Sequence, residues 1–311
     1  MGNVLIKIKK ARKFKNAIKF QTFDFDLENN DPCSDISSNS SKVESNYIIP
    51  NKFEESERVK RKHFVLKHIF ERNFSAPVHD LLTNGCRVLD VGCGPGTWIL
   101  DMASEYTRSS FVGLDIFPMF PSEIKPNNTD FVMEDVRNNL PFESNYFDYI
   151  FLGDMGFCFT DYEFDCVVTE CRRILKPGGW IEFQESSRKL TNRGPCIEKF
   201  GSMAHKIFES KKIKTTHYSQ NDLKKVPNIT NINEDVKPIP LGSWGGKLGE
   251  EYQEVMVTAL LLITKPIAEM YNCSWEEMRK LIDNMQLEMS ELKSSHDFVR
   301  TFGQKEYSEN D

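Results

Sequence analysis

Apolar residues recur at helical spacing between residues 54 and 74, and this pattern predicts one amphipathic helix. The apolar positions are Val59, Leu66, Ile69, Phe70 and Phe74. Acidic residues stand near the start of the segment, where the helix dipole stabilises negative charge. We therefore expect ordered structure to begin shortly before this helix, near Tyr47.

After this helix, short β-type runs alternate with segments of helical spacing. The predicted strands cover residues 87–91, 110–114, 129–133, 147–152 and 180–183. One predicted helix starts at Thr97, and another covers residues 161–175, with a capping box at Thr160 and Glu163 and a stop at "KPGGW". Alternating strands and helices predict an α/β fold with a doubly wound, mainly parallel sheet.

The segment "VLDVGCGPGTW", residues 88–98, leads from a strand through a glycine-rich turn into a helix. A bare backbone there lets a ligand approach the main chain, and we expect unobstructed N–H groups at the carboxyl edge of the sheet. The spacing of Gly92, Gly94 and Gly96 differs from the dinucleotide fingerprint, which requires its third glycine at Thr97. No Gly-Lys-Ser/Thr follows, so a P-loop is excluded, whereas an ordinary tight turn remains an alternative.

Two aspartates follow the next two predicted strands. Asp115 ends the strand in "FVGLDI", and Asp135 follows the strand in "FVMEDV". Carboxyl ends of parallel strands meet at one edge of a sheet, so both carboxylates are expected beside the glycine turn. One can hold ribose hydroxyls and the other an adenine amino group. Alone, each aspartate is more often a helix cap or a solvated loop residue.

These motifs together resemble those of the class I S-adenosylmethionine-dependent methyltransferases over residues 46–200. "VLDVGCGPG" resembles their first motif, Asp115 their ribose acid, "EDV" their adenine-side motif, "FDYIFLGD" their fourth strand and "RILKPGGW" the turn before their fifth strand. Within the class, "NYIIPNKFEESER", "DMASEY", "FPMFPSEIKPN" and "LKPGGWIEFQE" are similar to fungal methyltransferases related to the velvet-complex regulator of secondary metabolism. That group often carries an arginine where this chain has Gly153, so no role is transferred to that position.

The resemblance implies a Rossmann-like class I methyltransferase fold and S-adenosyl-L-methionine as cofactor. Weaker similarity continues through "PLGSWGGKLG" to "FGQK", which predicts a single methyltransferase domain over residues 46–303. No metal site is expected. The predicted cofactor-binding residues are Asp90, Gly92, Cys93, Gly94, Gly96, Asp115, Ile116, Asp135 and Val136.

The resemblance also implies an in-line methyl transfer to an unidentified O, N or C acceptor, with a small molecule favoured over a protein. Residues 186–250 are expected to cover the acceptor pocket, and Trp244 is expected to pack rather than line it. No catalytic base is assigned. Polar candidates near the carboxyl edge, each more often structural than catalytic, are Asp154, Glu185, His205, His217 and Tyr218.

Two other function classes stay open at this point. A methyltransferase-like regulatory or binding subunit without turnover is opposed by the intact glycine turn and both acids. A nucleotide-dependent oxidoreductase is opposed by the missing glycine at position 97. A regulatory protein partner is expected only from the family resemblance.

Composition narrows the partners and the compartment. A net charge of −6 disfavours a surface built to bind nucleic acid. Eight cysteines without a CxxC pair indicate a reducing compartment and no structural zinc, so we expect a cytoplasmic or nuclear protein. The most apolar stretch, residues 255–263, is shorter than the roughly 20 residues of a membrane span and predicts a buried helix.

Both ends of the chain are predicted to be disordered, over residues 1–45 and 304–311. Residues 1–20 hold seven basic residues and no acid, and a polar low-complexity stretch follows. A solvated basic arm, a membrane-surface or nuclear address and a mitochondrial presequence are all compatible with this tail. A myristoylation motif fails because Ile6 stands where serine or threonine is required.

Overall fold

The computed structural model of the protein describes residues 53–215 and 217–307, apart from the side chains of residues 188 and 189. The tail predicted over residues 1–45 and the predicted domain start at residue 46 lie outside the described residues.

The first half of the described chain builds alternating strands and helices, as predicted. In chain order the elements are α1 (Phe53–Phe70), α2 (His79–Asn84), β1 (Arg87–Val91), α3 (Thr97–Glu105), β2 (Ser110–Asp115), β3 (Thr129–Met133), β4 (Phe147–Gly153), α4 (Asp161–Ile174) and β5 (Leu175–Leu190). Helix α1 ends four residues before the predicted limit, because Glu71 has a left-handed backbone with φ of 59°. Phe74 then packs in the core beside the sheet instead of extending the helical stripe.

The second half adds helices and two antiparallel strands. These elements are α5 (Pro195–Ser210), α6 (Gln220–Leu223), β6 (Ile229–Pro240), α7 (Gly246–Tyr271), α8 (Trp275–Glu291) and β7 (Ser295–Lys305). Single 3₁₀ turns form at Met155–Phe157 and Ser243–Gly245. Gln304 and Lys305 belong to β7, so regular structure extends past the predicted domain end at residue 303.

The strands form one seven-stranded sheet in the order β3-β2-β1-β4-β5-β7-β6. Strands β1 to β5 pair in parallel, and β7 is antiparallel to both β5 and β6. The predicted α/β fold with a doubly wound, mainly parallel sheet is thereby confirmed. Because β7 lies between β5 and β6, the last strand in the sequence is an interior strand of the sheet.

Alternate residues of the central strands fill the two faces of the sheet. Val88 and Tyr149 pack on the face covered by α3, whereas Leu89 and Ile150 pack on the face covered by α4. A third apolar cluster joins α1, α5, α7 and α8 over the end of the sheet formed by β6 and β7. The carboxyl edge of the parallel strands therefore lies beside a separate helical layer.

Two local predictions about helices are confirmed. Thr160 and Glu163 form the capping box at the start of α4, with Thr160 N–H donating to Glu163 Oε2 at 2.8 Å. The apolar stretch of residues 255–263 forms part of α7, so its helical state is confirmed, but only Val255 and Ile263 are buried and the residues between them are partly exposed. No helix within residues 53–215 or 217–307 has the length and apolar character to cross a membrane.

Candidate functional site

A cavity, here named the first cavity, opens at the carboxyl edge of β1, β2 and β4 and is closed on one side by α1. Seven of the predicted cofactor-binding residues line it: Gly92, Cys93, Gly94, Asp115, Ile116, Asp135 and Val136. Asp90 and Gly96 are not among its lining residues. The structure thus brings the glycine turn and both predicted acids together, as the parallel sheet requires.

The N–H groups of the glycine turn are already hydrogen bonded, so the expectation of unobstructed donors is wrong. Gly92 and Cys93 donate to the Leu114 carbonyl at 2.7 and 3.0 Å, Gly94 donates to Asp115 Oδ2 at 2.8 Å, and Gly96 donates to the Cys93 carbonyl at 2.9 Å. The reason is geometric, since the turn folds back onto the adjacent strand β2. It offers a ligand close approach to the main chain rather than free donors.

The three glycines of the turn are needed for different reasons, although all have positive φ, of 70°, 53° and 77° in chain order. A Cβ on Gly92 would collide with Met155, and a Cβ on Gly96 would lie 2.9 Å from the Phe131 ring. Only Gly94 faces open space, because the nearest atom to its Cβ would be Met119 Cε at 3.9 Å. Gly92 and Gly96 therefore permit packing, whereas Gly94 leaves room in the cavity.

Asp115 both lines the cavity and holds the turn. Its Oδ2 accepts from the N–H of Gly94 at 2.8 Å, and its Oδ1 accepts from the N–H of Phe117 at 2.9 Å. Burial raises the pKa of this carboxyl, and the backbone hydrogen bonds offset part of that rise. Loss of this side chain would therefore loosen the turn as well as remove a ligand contact.

Asp90 lies beneath the turn, with 3% of its surface exposed. Burial and then the neighbouring charge of Asp115 raise the pKa of Asp90 well above its ordinary value. Its Oδ2 has no hydrogen-bond partner among the residues that the structure describes. Burial and the charges of the same two aspartates also raise the pKa of the Cys93 thiol, which keeps it protonated.

Asp135 is held by an arginine that the sequence reasoning did not identify. Arg137 Nη2 lies 2.7 Å from Asp135 Oδ2, and Arg137 Nη1 lies 3.1 Å from Glu163 Oε1 at the start of α4. Burial raises the pKa of Asp135, but the hydrogen bonds and charge of Arg137 outweigh it and lower that pKa overall. The arginine two residues after the acid in "EDVR" was the available signal. Val136 between them is buried and lines the cavity.

Helix α1 supplies a charged wall that the sequence reasoning also missed. Glu55, Arg58 and Lys62 stand at helical spacing on its buried face and line the first cavity. Arg58 Nε and Nη2 donate to the two carboxylate oxygens of Glu55 at 2.6 and 2.7 Å, and Lys62 Nζ lies 2.6 Å from Asp154 Oδ2. Polar residues spaced by three and four positions on a helix face were the signal that could have found this wall.

A second cavity of about 290 Å³ adjoins the first. It is lined mostly by apolar side chains of α5, α7 and β7, including Phe200, Val255 and Phe298. The two cavities share the lining residues Arg58, Lys62 and Asp154. The Lys62–Asp154 ion pair therefore stands where the two spaces meet.

One buried polar pair, Tyr252 and His296, lies among the mostly apolar side chains of the second cavity. The Tyr252 hydroxyl lies 2.7 Å from His296 Nδ1, and both residues line the cavity. Burial lowers the pKa of His296 to about 4, with Asp154 opposing and Lys62 adding to that shift. Neither residue was a sequence candidate, because an isolated histidine or tyrosine outside any motif gives no signal of this kind.

Two of the polar candidates from the sequence line the second cavity. Asp154 stands at the junction of the cavities, paired with Lys62. His205 lies on α5 and its Nε2 is 3.2 Å from Glu209, with about half of the histidine side chain exposed. Neither observation assigns a proton-transfer role.

The other three candidates line neither cavity. Glu185 is buried and accepts from the N–H of Gly156 at 2.9 Å. Tyr218 is buried against Phe164, with ring centroids 3.4 Å apart. His217 lies in the segment beside it.

The acceptor region predicted over residues 186–250 supplies only part of the second cavity. Helix α5 forms one wall from within that range, whereas α7 and β7 contribute residues beyond it. The "PLGSWGGKLG" segment does not line the cavity. Trp244 instead donates its indole N–H to the Ser294 carbonyl at 3.1 Å, which fits a packing role.

Among the described residues, the cysteines and the other potential metal ligands form neither disulfides nor a metal-binding group. Across the described part of the chain, seven cysteines are free thiols. No group of three or more His, Cys, Asp or Glu side chains within those same ranges is arranged to hold a metal ion.

Comparison with known proteins identifies the domain. Residues 88–179 match the family model described as a methyltransferase domain. Methyltransferase pytC of Aspergillus terreus is 28% identical over 207 residues, which cover 64% of this chain and 62% of that protein. The secondary metabolism regulator LAE1 of Cochliobolus heterostrophus is 24% identical over 224 residues, covering 67% of this chain and 72% of that protein.

A solved structure shows the same fold. A chain of the complex between the Haloferax volcanii Trm112 methyltransferase activator and a methyltransferase aligns with a TM-score of 0.50 and 16% identity, covering 85% of this chain and all of that one. The present chain spans about 62% of the length of pytC. Residues 88–179 therefore match a methyltransferase domain, and the chain is similar to fungal methyltransferases and secondary metabolism regulators, as its motifs indicated.

Proposed function

We propose that the protein transfers a methyl group from S-adenosyl-L-methionine, bound in the first cavity, to a small and largely apolar acceptor bound in the second cavity. The observation that carries this proposal is the junction of the two cavities at Arg58, Lys62 and Asp154. The first cavity is lined by many charged side chains and the second mostly by apolar ones. Because the two adjoin, two ligands can approach each other within one protein.

The residues of the first cavity fit the cofactor. Gly94 leaves room beside the main chain, Asp115 lies where ribose hydroxyls can donate to a carboxylate, and Ile116 and Val136 offer apolar contact to a base. Asp135 would hold the adenine side together with Arg137, which already occupies part of its carboxylate. The sulfonium group supplies an activated methyl when the cofactor is bound.

Charge also favours a positively charged ligand in the first cavity. Five acidic and three basic side chains line it, and each basic one contacts an acidic one: Arg58 with Glu55, Lys62 with Asp154, and Arg137 with Asp135. The excess of carboxylates attracts a cation in a partly desolvated space. Helix α1 covers the cavity and limits the access of water.

The second cavity favours a small molecule over a protein side chain as acceptor. Its volume of about 290 Å³ and apolar walls suit burial of most of a compact ligand. We extend the proposal to a cytoplasmic or nuclear location, which free cysteines support. Similarity to the secondary metabolism regulator LAE1 keeps a regulatory subunit with a protein partner as the alternative.

Calorimetry and methyl labelling together test the proposal. We expect S-adenosylmethionine and its demethylated product to bind, and NAD and NADP to bind far more weakly. With methyl-labelled cofactor and a cell extract, label is expected in small molecules. Binding without any transfer of label would favour the regulatory alternative, label in protein would contradict the small acceptor, and tighter binding of NAD would contradict the cofactor.

A matched pair of variants checks the use of the second cavity. Gly201 lies on α5 in the cavity lining, and nothing stands within 4 Å of the Cβ it would carry. Gly201→Trp should fill the cavity, abolish label transfer and leave cofactor binding unchanged. Lys199→Trp on the exposed side of the same helix is the control and should keep both activities. Undiminished label transfer by Gly201→Trp would show that the acceptor binds elsewhere.

A further inference from the structure

The imidazole of His296 is a buried polar group in the lining of the second cavity. His296 lies on β7 between Leu190 of β5 and Ile239 of β6, with 6% of its surface exposed. Its Nε2 has no hydrogen-bond partner among the residues described in the structure. Buried polar atoms are nearly always hydrogen bonded in folded proteins, so we expect Nε2 of His296 to have a hydrogen-bond partner. His296 lines the second cavity, and a ligand there can supply one.

Tyr252 determines which nitrogen carries the proton. Tyr252 has 2% of its surface exposed, and the one hydrogen bond of its hydroxyl within the described ranges is to His296 Nδ1 at 2.7 Å. If Nδ1 donated instead, the buried Tyr252 hydroxyl hydrogen would have no acceptor. Donation from Tyr252 to Nδ1 satisfies both groups and puts the imidazole hydrogen on Nε2.

The imidazole is neutral under ordinary conditions. Burial lowers the pKa of His296 to about 4. The charged groups that act on it, Asp154 and Lys62, form an ion pair and act in opposite directions. Tyr252 and Phe298 pack against the ring, with centroid separations of 6.0 and 5.6 Å. A neutral ring with its hydrogen on Nε2 can donate a hydrogen bond but cannot take up a proton there.

We propose that His296 is a specificity-determining residue whose Nε2–H donates a hydrogen bond to a carbonyl-type oxygen of an otherwise apolar acceptor molecule. Tyr252 is the positioning residue that holds the required tautomer. The inference rests on the proposed function only in regarding the second cavity as the acceptor site. A buried donor without a protein partner in a mostly apolar lining binds an uncharged oxygen acceptor well and rejects a ligand that lacks one, because the N–H would then remain unpaired.

Nitrogen-15 NMR of the histidine rings tests the tautomer without any ligand. Near neutral pH, His296 should be protonated on Nε2 and unprotonated on Nδ1. Tyr252→Phe should reduce the Nε2–H population and leave the other histidine signals unchanged. Protonation of Nδ1 in the natural protein would overturn the proposal.

A fluorescent ketone tests the recognition itself. The probe is 6-propionyl-2-(dimethylamino)naphthalene, whose emission moves to longer wavelength when its carbonyl accepts a hydrogen bond. Relative to the natural protein, His296→Leu should weaken binding about tenfold and move the emission of the bound probe to shorter wavelength. His296→Gln, which keeps an N–H donor, should recover part of both effects.

Three controls make the outcome decisive. The 6-propyl analogue, which lacks the carbonyl, should bind His296→Leu at least as tightly as the natural protein, because the variant has no N–H to leave unpaired. His68→Leu changes an exposed histidine of α1 that lines neither cavity, and it should leave ketone binding unchanged. Gly201→Trp should abolish binding if the ketone occupies the second cavity.

Failure of the natural protein to bind the ketone, or equal binding by His296→Leu, would overturn the inference. Calorimetry with S-adenosylmethionine on the same variants separates this failure from failure of the proposed function. Loss of ketone recognition with intact cofactor binding contradicts only the role of His296. Absence of cofactor binding with intact ketone recognition contradicts only the methyltransferase proposal.

Discussion

The two cavities are built by different means, although they share three lining residues. In the first cavity the polar groups are fixed by hydrogen bonds to one another, as Asp115 is to the N–H of Gly94 and Asp135 to Arg137. In the second cavity, apolar side chains set the shape, and His296 keeps an unpaired nitrogen within the described residues. The first is preorganised by backbone and charge, whereas the second is defined by side-chain volume. Substitutions should therefore act on the first through geometry and on the second through size.

Helix α1 is the element that both cavities have in common. Arg58 and Lys62 contribute to both linings from its buried face. On the same helix, His63 and Lys67 contact Asp101 of α3 through its Oδ2, at 3.0 and 2.6 Å. A change in the packing of α1 against α3 should therefore affect both cavities together. A change in a residue that lines only one cavity should affect that cavity alone.

The largest expected effect is that of Gly94→Val on the first cavity. A β-branched side chain there would occupy the open space of the cavity and oppose the positive φ of 53°. We expect S-adenosylmethionine binding to fall below detection by calorimetry, while the ketone probe still binds the second cavity.

Gly246→Val is the matched control for backbone strain. Gly246 has a φ of 63° and, like Gly94, open space around its Cβ position, but it lines neither cavity. Both variants should lose similar thermal stability, and only Gly94→Val should lose the cofactor. Normal cofactor binding by a folded Gly94→Val protein would contradict the assignment of the turn.

An intermediate effect is expected from Asp115→Ala. Hydrogen bonds to a charged acceptor are worth about 1.5 to 3 kcal/mol, so cofactor affinity should fall roughly ten- to a hundredfold. The melting temperature should also fall, since the Gly94 N–H and the Phe117 N–H lose their acceptor. Calorimetry and thermal unfolding measure the two effects separately.

Asp130→Ala is the control for removing a carboxylate from the same sheet. Asp130 lies on β3, its side chain is 82% exposed, and it lines neither cavity. It should leave cofactor affinity unchanged. If Asp115→Ala binds the cofactor as tightly as Asp130→Ala does, Asp115 is not a cofactor contact.

The smallest effect on ligand binding is expected from Asp101→Asn, and both cavities should show it. Burial raises the pKa of Asp101, but hydrogen bonds from His63, Lys67 and Asn73 outweigh it and hold that pKa well below its ordinary value. The carboxylate therefore contributes stability that is complete above a pH of about 4 and is lost as the pH falls towards its folded pKa.

Urea unfolding as a function of pH checks this sign. At neutral pH, Asp101→Asn should lower the free energy of unfolding by about 1 to 3 kcal/mol. Between about pH 4 and pH 2 the natural protein should lose more stability than the variant. S-adenosylmethionine and the ketone probe should each bind a few-fold more weakly, because α1 is then held less firmly against α3. A loss confined to one ligand would contradict the shared role of this helix.

The first half of the chain could be predicted from sequence because its signals are local. Strands β1 and β3 have the predicted limits, since alternating apolar residues and a following glycine or aspartate mark them. The glycine turn and Asp115 belong to one motif and meet at one sheet edge. The hydrogen bonds that occupy the turn could not be predicted, because they depend on how the turn folds back onto β2.

The second half carried weaker signals. Strands β6 and β7 pair antiparallel beside a parallel sheet, and neither strand was predicted from the sequence. The Tyr252–His296 pair joins residues 44 positions apart in sequence, so no spacing rule connects them. Lys62, on the buried face of α1, pairs with Asp154, a residue distant in sequence, so no local pattern predicts this contact.

The interior position of β7 dictates the order in which this protein can assemble. Strands β3, β2, β1, β4 and β5 can pair as soon as the first 190 residues are available, because every partner is already present. Strands β5 and β6 keep unpaired edges until residues 295–305 insert between them. Closing a loop of more than one hundred residues between β5 and β7 is entropically costly and slow. The second cavity therefore forms last. Before β7 inserts, the unpaired edges of β5 and β6 are exposed, and at this stage the chain is most prone to aggregation.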